Sequence, residues 1–152
     1  MRVDVTTTAT INCPVDVVAA FAADPANAPR WYANIREVVW RTTPPLQVGS
    51  RIGFVAQFLG RRLEYTYEVR SFDPASGLVM ATAEGPFPME TTYAWRAASQ
   101  GTTQFTLRNR GEASGFNRPL APLMAFAVRR ENRKDVARLK SLLETDGARH
   151  RP

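Results

Sequence analysis

Hydrophobic and polar residues alternate in the first ten residues and then take up helical spacing. From Val3 to Ile11 every second residue is Val, Thr, Ala or Ile, and the residues between them are Thr and Asp. This period of two predicts a half-buried strand. Pro14 ends the strand and can open a helix, which the pattern predicts over 15–23. A second short helical turn is expected over 25–30. The chain therefore begins with one strand and two short helices.

The middle of the chain repeats the alternation in further segments that are separated by short turns rich in Gly, Pro and Asp. The segments cover 35–41, 51–59, 63–70, 78–84, 87–96 and 104–109. Consecutive strands joined by short turns predict an antiparallel meander, so the sheet has about six to seven strands in all. The facing of side chains is least certain near 78–86, where a bulge at Gly85-Pro86 would exchange the two faces.

One long helix is predicted after the meander, with Pro119 and Pro122 in its first turn and its end at about Glu144, ~36 Å at 1.5 Å per residue. With Leu139 at the centre of its buried face, 100° steps place Met124, Val128, Asn132 and Val136 on the same stripe. Asp135 is predicted at the edge of the stripe, as a surface partner for a neighbouring arginine.

Three residues on the first half of this stripe are small. Ala121, Ala125 and Val128 cannot fill the space above a strongly curved sheet that carries large aromatic side chains. We therefore predict a cavity between helix and sheet. Leu120, Leu123 and Phe126 point away from the stripe, so either a loop or a dimer partner packs on them, or this end of the helix borders an opening.

Composition and charge exclude several classes of protein. Hydrophobic residues make up 44% and charged residues 22%, as in globular domains, and no apolar run approaches the ~20 residues of a membrane span. Lys and Arg number 20 against 14 Asp and Glu, but acids interrupt the dense arginine groups, so we expect a solvated surface and no nucleic acid. The start of the chain has no apolar leader, which predicts a cytoplasmic protein without stable membrane insertion.

The few residues that could carry metal or nucleophilic chemistry limit the mechanism. One cysteine, Cys13, and one histidine, His150, cannot form a Cys/His zinc site, and only two residues follow His150 in the chain. We expect no metal, no cofactor and no histidine-based nucleophilic mechanism.

The chain resembles the START-like (SRPBCC) superfamily of polyketide cyclase/dehydrase and lipid-transport proteins over residues 2–145. The segments that carry the resemblance are Ile11-Asn12-Cys13-Pro14-Val15-Asp16-Val17-Val18 with Phe21, Asp24-Pro25-Ala26-Asn27 leading to Trp31, Val48-Gly49-Ser50-Arg51, Tyr67-Glu68-Val69 with Phe72-Asp73-Pro74, and 135–144. The resemblance implies an α+β helix-grip fold, in which a curved antiparallel sheet and two short helices are covered by one long C-terminal helix over a deep hydrophobic pocket. It implies no single activity.

Inward-facing side chains are the candidate ligand-binding residues. Tyr65, Tyr67 and Tyr93 are also the candidates for acid catalysis or for holding a ligand oxygen, although a structural role is as plausible for each. Thr91, Asn109 and Asn132 are expected to form a shared polar patch. The full set of predicted ligand-binding residues is Phe54, Phe58, Tyr65, Tyr67, Met80, Met89, Thr91, Tyr93, Trp95, Asn109, Met124, Val128 and Asn132.

Three functions follow from these patterns. The first is a binding protein that encloses a hydrophobic or aromatic small molecule. The alternative is a polyketide cyclase/aromatase-type enzyme that acts on a poly-β-ketone, and the sequence leaves open whether any reaction occurs. The third is an interaction protein, such as a homodimer, that uses the apolar start of the long helix. One domain is predicted over 1–147, followed by a disordered tail over 148–152.

Overall fold

Seven strands and three helices make up the fold in the computed structural model, which describes residues 2–58, 60–85, 88–112 and 121–149. The strands are β1 (Arg2–Ile11), β2 (Ile35–Trp40), β3 (Arg51–Phe58), β4 (Arg61–Asp73), β5 (Gly77–Glu84), β6 (Met89–Ser99) and β7 (Thr102–Glu112). The helices are α1 (Val15–Ala23), α2 (Ala28–Trp31), which a 3-10 turn at Pro25–Asn27 precedes, and α3 (Ala121–Arg149).

The strands form one antiparallel sheet in the order β1-β7-β6-β5-β4-β3-β2. Strands β2 to β7 are the predicted meander, and β1 pairs with β7 at the far edge. The pairing of β4 with β5 is shifted between Thr66 and Tyr67 and again between Val69 and Ser71. Such bulges increase the local bend and twist of a sheet, and they help to curve this one. The predicted α+β helix-grip fold is confirmed.

The alternation along the strands separates a buried face from a solvent face. Thr91, Tyr93 and Trp95 of β6 are buried, as are Phe105 and Leu107 of β7. On β5, where the facing was least certain, Leu78 and Met80 are buried. The solvent face carries cross-strand ion pairs between arginines and acids, Arg108–Asp4, Arg110–Glu90 and Arg51–Glu68. The absence of a nucleic-acid partner stays a prediction.

Helix α3 is anchored by its C-terminal half. Val136, Leu139 and Leu143 belong to the main hydrophobic core, and Leu139 is fully buried. Met124 near the start of the helix packs separately, with Val3 of β1 and its neighbours. The stretch of α3 between these two apolar clusters contributes buried polar side chains instead.

The helix extends to Arg149, beyond the end predicted near Glu144. Gly147 does not stop it, because one glycine in a helix costs only ~1 kcal/mol relative to alanine. The domain boundary at 147 stays a prediction, and residues 150–152, with His150, lie outside the described residues. Among the described helices, none has the length and apolarity to cross a membrane.

Candidate functional site

A cavity of about 160 Å³ lies between the concave face of the sheet and helix α3. Strands β3 to β7 supply one wall and the middle of α3 supplies the other. The predicted residues that line it are Phe54, Tyr65, Tyr67, Met80, Met89, Thr91, Tyr93, Asn109, Met124, Val128 and Asn132. The alternation along the strands and the helical periodicity of α3 thus identify residues that line a common space.

Trp95 was predicted to line the cavity, and the structure places it elsewhere. Its indole is 2% exposed and packs in the core, and Nε1 donates a hydrogen bond to the carbonyl oxygen of Pro74 at 2.9 Å. Trp95 faces the same side of the sheet as Thr91, because the two residues are an even number of positions apart. It lies four residues farther along the strand, however, ~13 Å away at 3.3 Å per residue. The alternation of side chains gives the face of the sheet on which a residue lies, but it does not give the position of that residue along the strand. The side chain of Phe58 lies outside the described residues.

An aromatic cluster forms the part of the cavity wall on β3 and β4. Phe54 and Tyr65 are directly opposite each other in the strand pairing, and their rings stack with centroids 5.5 Å apart. Tyr67 contacts both rings, with centroids 5.0 Å from Tyr65 and 5.8 Å from Phe54. Because these rings pack against one another, they present a broad aromatic surface that suits a planar ligand.

Four polar side chains form a hydrogen-bonded chain across the cavity, which we call the polar relay. Tyr67 Oη lies 2.9 Å from Thr91 Oγ1, and Thr91 Oγ1 donates to Asn109 Oδ1 at 2.6 Å. Asn109 Nδ2 then donates to Asn132 Oδ1 at 3.1 Å. The strand register explains the contact between Thr91 and Asn109, since these residues are opposite each other on β6 and β7. The predicted polar patch of Thr91, Asn109 and Asn132 is confirmed, and Tyr67 joins it.

The last donor of the polar relay is unsatisfied. Asn132 is 4% exposed, and its Nδ2 is buried without a hydrogen-bond partner among the residues that the structure describes. Leaving a buried donor unpaired costs about 1–3 kcal/mol. Among the described residues that line the cavity, Asn132 therefore carries a buried donor that lacks an acceptor.

A pair of tyrosines forms a second polar element of the cavity. The hydroxyls of Tyr32 and Tyr93 are 2.7 Å apart, and the ring of Tyr32 packs on Trp31 with centroids 4.1 Å apart. Trp31 is 1% exposed and is a core residue. Burial raises the pKa of Tyr32 and of Tyr93 above the ordinary value, and it raises the pKa of Tyr67 to about 12. These phenols are therefore neutral hydrogen-bonding groups at pH 7.

Asp135 lines the cavity, which corrects its predicted place on the helix surface. It is 3% exposed, and its Oδ1 accepts a hydrogen bond from the backbone N–H of Ala33 at 3.0 Å. Burial raises the pKa of Asp135 to about 7, although the hydrogen bond from Ala33 opposes the rise. The connection between α2 and β2 covers this side of α3, and helical periodicity alone could not reveal that cover.

Several other lining residues were not among the predicted ones. They are Val3, Tyr32, Asn34, Ile35, Ala56, Leu63, Thr82, Glu131 and Asp135. Asn34 Nδ2 donates to Glu131 Oε2 at 3.2 Å, which ties the α2–β2 connection to α3. A signal for Asp135 was present in the sequence, because it lies seven residues, two helical turns, after Val128 on the same side of the helix.

The sequence profile of the family described as polyketide cyclase / dehydrase and lipid transport matches residues 2–144. The chain belongs to this family. The resemblance deduced from the sequence is thereby confirmed. No curated relative matches the sequence at a significant level.

Solved structures share the fold at low sequence identity. A protein from Thermus thermophilus superposes with a TM-score of 0.79 at 16% identity, over 94% of this chain and 98% of that one. The Zhui aromatase/cyclase from Streptomyces sp. R1128 superposes with a TM-score of 0.79 at 18% identity, and the match covers 95% of this chain and 94% of that one. A START superfamily protein from Mycobacterium smegmatis superposes with a TM-score of 0.70 at 14% identity, and the match covers 94% of this chain and 95% of that one. At such identities these likenesses establish the helix-grip architecture.

The apolar start of α3 faces solvent in this family member. Leu123 is 62% exposed and Phe126 is 59% exposed, as their positions off the buried stripe predicted. Leu120, the third residue of that predicted surface, lies outside the described residues. The use of the apolar start of α3 as an interaction or homodimer surface stays a prediction.

Proposed function

We propose that this protein encloses a small hydrophobic or aromatic molecule in the cavity beneath α3. The observation that carries the proposal is a cavity that combines an aromatic wall with the polar relay, which begins at Tyr67 in that wall. Burying roughly 200 Å² of aromatic surface is worth about 5 kcal/mol at ~25 cal/mol per Å², which corresponds to a Kd of the order of 0.1 mM. Polar contacts then set the orientation of the molecule.

Family membership and one structural neighbour support the same class of ligand. The family description combines polyketide cyclisation with lipid transport, and both involve largely apolar molecules. The Streptomyces neighbour with the same fold is an aromatase/cyclase. A hydrophobic small molecule is therefore the partner we assign to the cavity.

Filling the cavity is expected to block binding. Val128 lines the cavity, so Val128→Phe should weaken the binding of 2-naphthol at least tenfold in a calorimetric titration, because the new ring occupies the ligand's space. The matched control is Leu123→Phe, which enlarges a side chain on the exposed side of the same helix and should leave the Kd unchanged.

The same experiment can contradict the proposal. If Val128→Phe binds 2-naphthol as tightly as the wild type, the probe is bound elsewhere. Native mass spectrometry of freshly purified protein, followed by solvent extraction, provides an independent readout. A protein that carries no extractable apolar compound and does not bind 2-naphthol saturably would rule out the binding function.

An enzyme of the cyclase/aromatase type is the second candidate, and Asp135 is the observation that favours it. Its carboxyl group titrates near neutral pH and interacts electrostatically with the hydroxyls of Tyr32 and Tyr93. A carboxylate with such a pKa can remove a proton from the carbon next to a ketone. The resulting enolate carbon attacks a second carbonyl of the same substrate, and the alkoxide that forms takes the proton back from Asp135. The tyrosine hydroxyls would stabilise the charged oxygen.

Proton abstraction by Asp135 predicts a measurable exchange reaction. The wild type should speed the uptake of deuterium from D₂O at the methyl group of an aryl methyl ketone, followed by NMR, and the rate should rise through about pH 7 as Asp135 ionises. Asp135→Asn should remove this acceleration and Asp16→Asn, at an exposed aspartate, should not. Equal rates for the wild type and Asp135→Asn would leave binding as the function.

A further inference from the structure

The polar relay has a direction that follows from its donors and acceptors. Thr91 has one hydroxyl proton, so if it donates to Asn109 Oδ1 it must accept from Tyr67. A phenol is a stronger proton donor than an aliphatic hydroxyl, which favours donation from Tyr67 to Thr91. Asn109 Nδ2 then donates a hydrogen bond to Asn132 Oδ1. This direction leaves Asn132 with a free donor and not a free acceptor.

Asn132 Nδ2 is buried, and the residue lines the cavity. Native proteins pair nearly all their buried polar atoms, and this nitrogen has no partner among the described residues. The side chain is held in place because its oxygen already accepts from Asn109. A ligand that enters the cavity can supply the missing acceptor, and the surrounding aromatic and methionine side chains would exclude competing water.

The volume of the cavity limits the size of the ligand. About 160 Å³ is close to the size of an engineered protein cavity that holds benzene. The stacked rings of Phe54 and Tyr65 form a wall for a planar molecule. Met80 and Met89 also line the cavity, and flexible thioethers can move to admit a second fused ring.

We propose that the cavity selects an aromatic molecule of one or two fused rings that carries a carbonyl group, and that Asn132 Nδ2 recognises the carbonyl oxygen. The inference rests on the proposed binding function and names the chemical class of its ligand. Asn132 is accordingly the specificity-determining residue. The aromatic wall contributes affinity but does not distinguish a ketone from a hydrocarbon of the same shape.

Three two-ring probes test this assignment at pH 7. 1-Indanone carries a carbonyl acceptor, indane has the same skeleton without it, and indole carries only an N–H donor. Calorimetric titration gives the Kd of each. Replacing the amide in Asn132→Leu should shift the ratio of the 1-indanone Kd to the indane Kd at least tenfold in favour of indane, because only the ketone loses a hydrogen bond.

The control variant is Asn27→Leu, which removes an amide that donates to the carbonyl oxygen of Phe21 and does not line the cavity. It should leave the ratio within about threefold of the wild-type value. A second readout is the infrared carbonyl stretch of bound 1-indanone, which should lie at lower wavenumber in the wild type than in Asn132→Leu. If Asn132→Leu does not fold, Asn132→Ala is measured in the same way.

The outcomes separate this inference from the binding function. A ratio that Asn132→Leu leaves unchanged, with all probes bound, overturns the role of Asn132 and leaves the binding function intact. A selective loss of indole in that variant overturns the relay direction, because it would mean that Asn132 Oδ1 faces the ligand. If the wild type binds none of the three probes and no 2-naphthol, the binding function itself fails.

Discussion

Leu139→Ala is expected to lower the free energy of unfolding by about 2–5 kcal/mol. Leu139 is fully buried where α3 packs on the main core, and truncation there removes hydrophobic contacts and leaves a void. Urea denaturation at pH 7 measures the loss as a lower midpoint. Since small domains have only about 5–15 kcal/mol of stability in total, the change is large.

Leu123→Ala is the matched control for this prediction. The same substitution on the same helix removes a side chain that is 62% exposed, and the expected change is within about 0.5 kcal/mol. Similar losses for both variants would contradict the assignment of Leu139 as the anchor of α3, and would indicate that the start of the helix is covered in solution. The comparison therefore also tests the predicted partner surface.

Asp135→Asn is expected to stabilise the protein most above pH 7 and only about a third as much at pH 5, because the effect develops between pH 3.8 and about pH 7. The pKa of Asp135 is about 7 in the folded protein against an ordinary value of 3.8. The folded state therefore holds a proton that the unfolded chain has lost between these values, so the free energy of unfolding falls as the pH rises through this window. At 1.36 kcal/mol for each pKa unit, the gain for the variant at pH 8 is roughly 1–4 kcal/mol.

Urea denaturation of the wild type and Asp135→Asn at pH 5 and pH 8 measures this difference. The charged and titratable groups that act on Asp135 or respond to it are Tyr32, Tyr65, Tyr93, Glu131, Lys134 and Arg138. The exposed Asp16→Asn should keep the pH dependence of the wild type. An Asp135→Asn variant with equal effects at both pH values would show that its carboxyl group does not titrate in this window.

The secondary-structure elements could be predicted almost completely from local patterns, and the resemblance to the family implied their helix-grip arrangement. Alternation placed the seven strands, and Pro14 marked the start of α1, which runs from Val15 as predicted. Period 2 also assigned Phe54, Tyr67 and Thr91 to the cavity face. Patterns of this kind are reliable because each strand must bury one face of its pleat, and they are independent of distant contacts.

The candidate site could be predicted only in part. Trp95 has the same parity as Thr91 but packs in the core, because a repeat of two does not give the position along a strand. Helical periodicity places Asp135 at the edge of the buried stripe of α3. The backbone of Ala33 covers it, and the sequence separation of 102 residues hides that contact from any local pattern.

The amino-acid sequence by itself determined the elements and most of the inward-facing residues, because these depend on the local periodicity of hydrophobic side chains. The family followed from the resemblance of its motif segments. Only the tertiary structure decided the chemistry of the cavity. It joined Tyr67, Thr91, Asn109 and Asn132 into the polar relay and left one amide unsatisfied. It also buried Asp135 and thereby moved its pKa to about 7. Desolvation and hydrogen-bond pairing depend on which distant segments come together, and a local pattern carries no information about that.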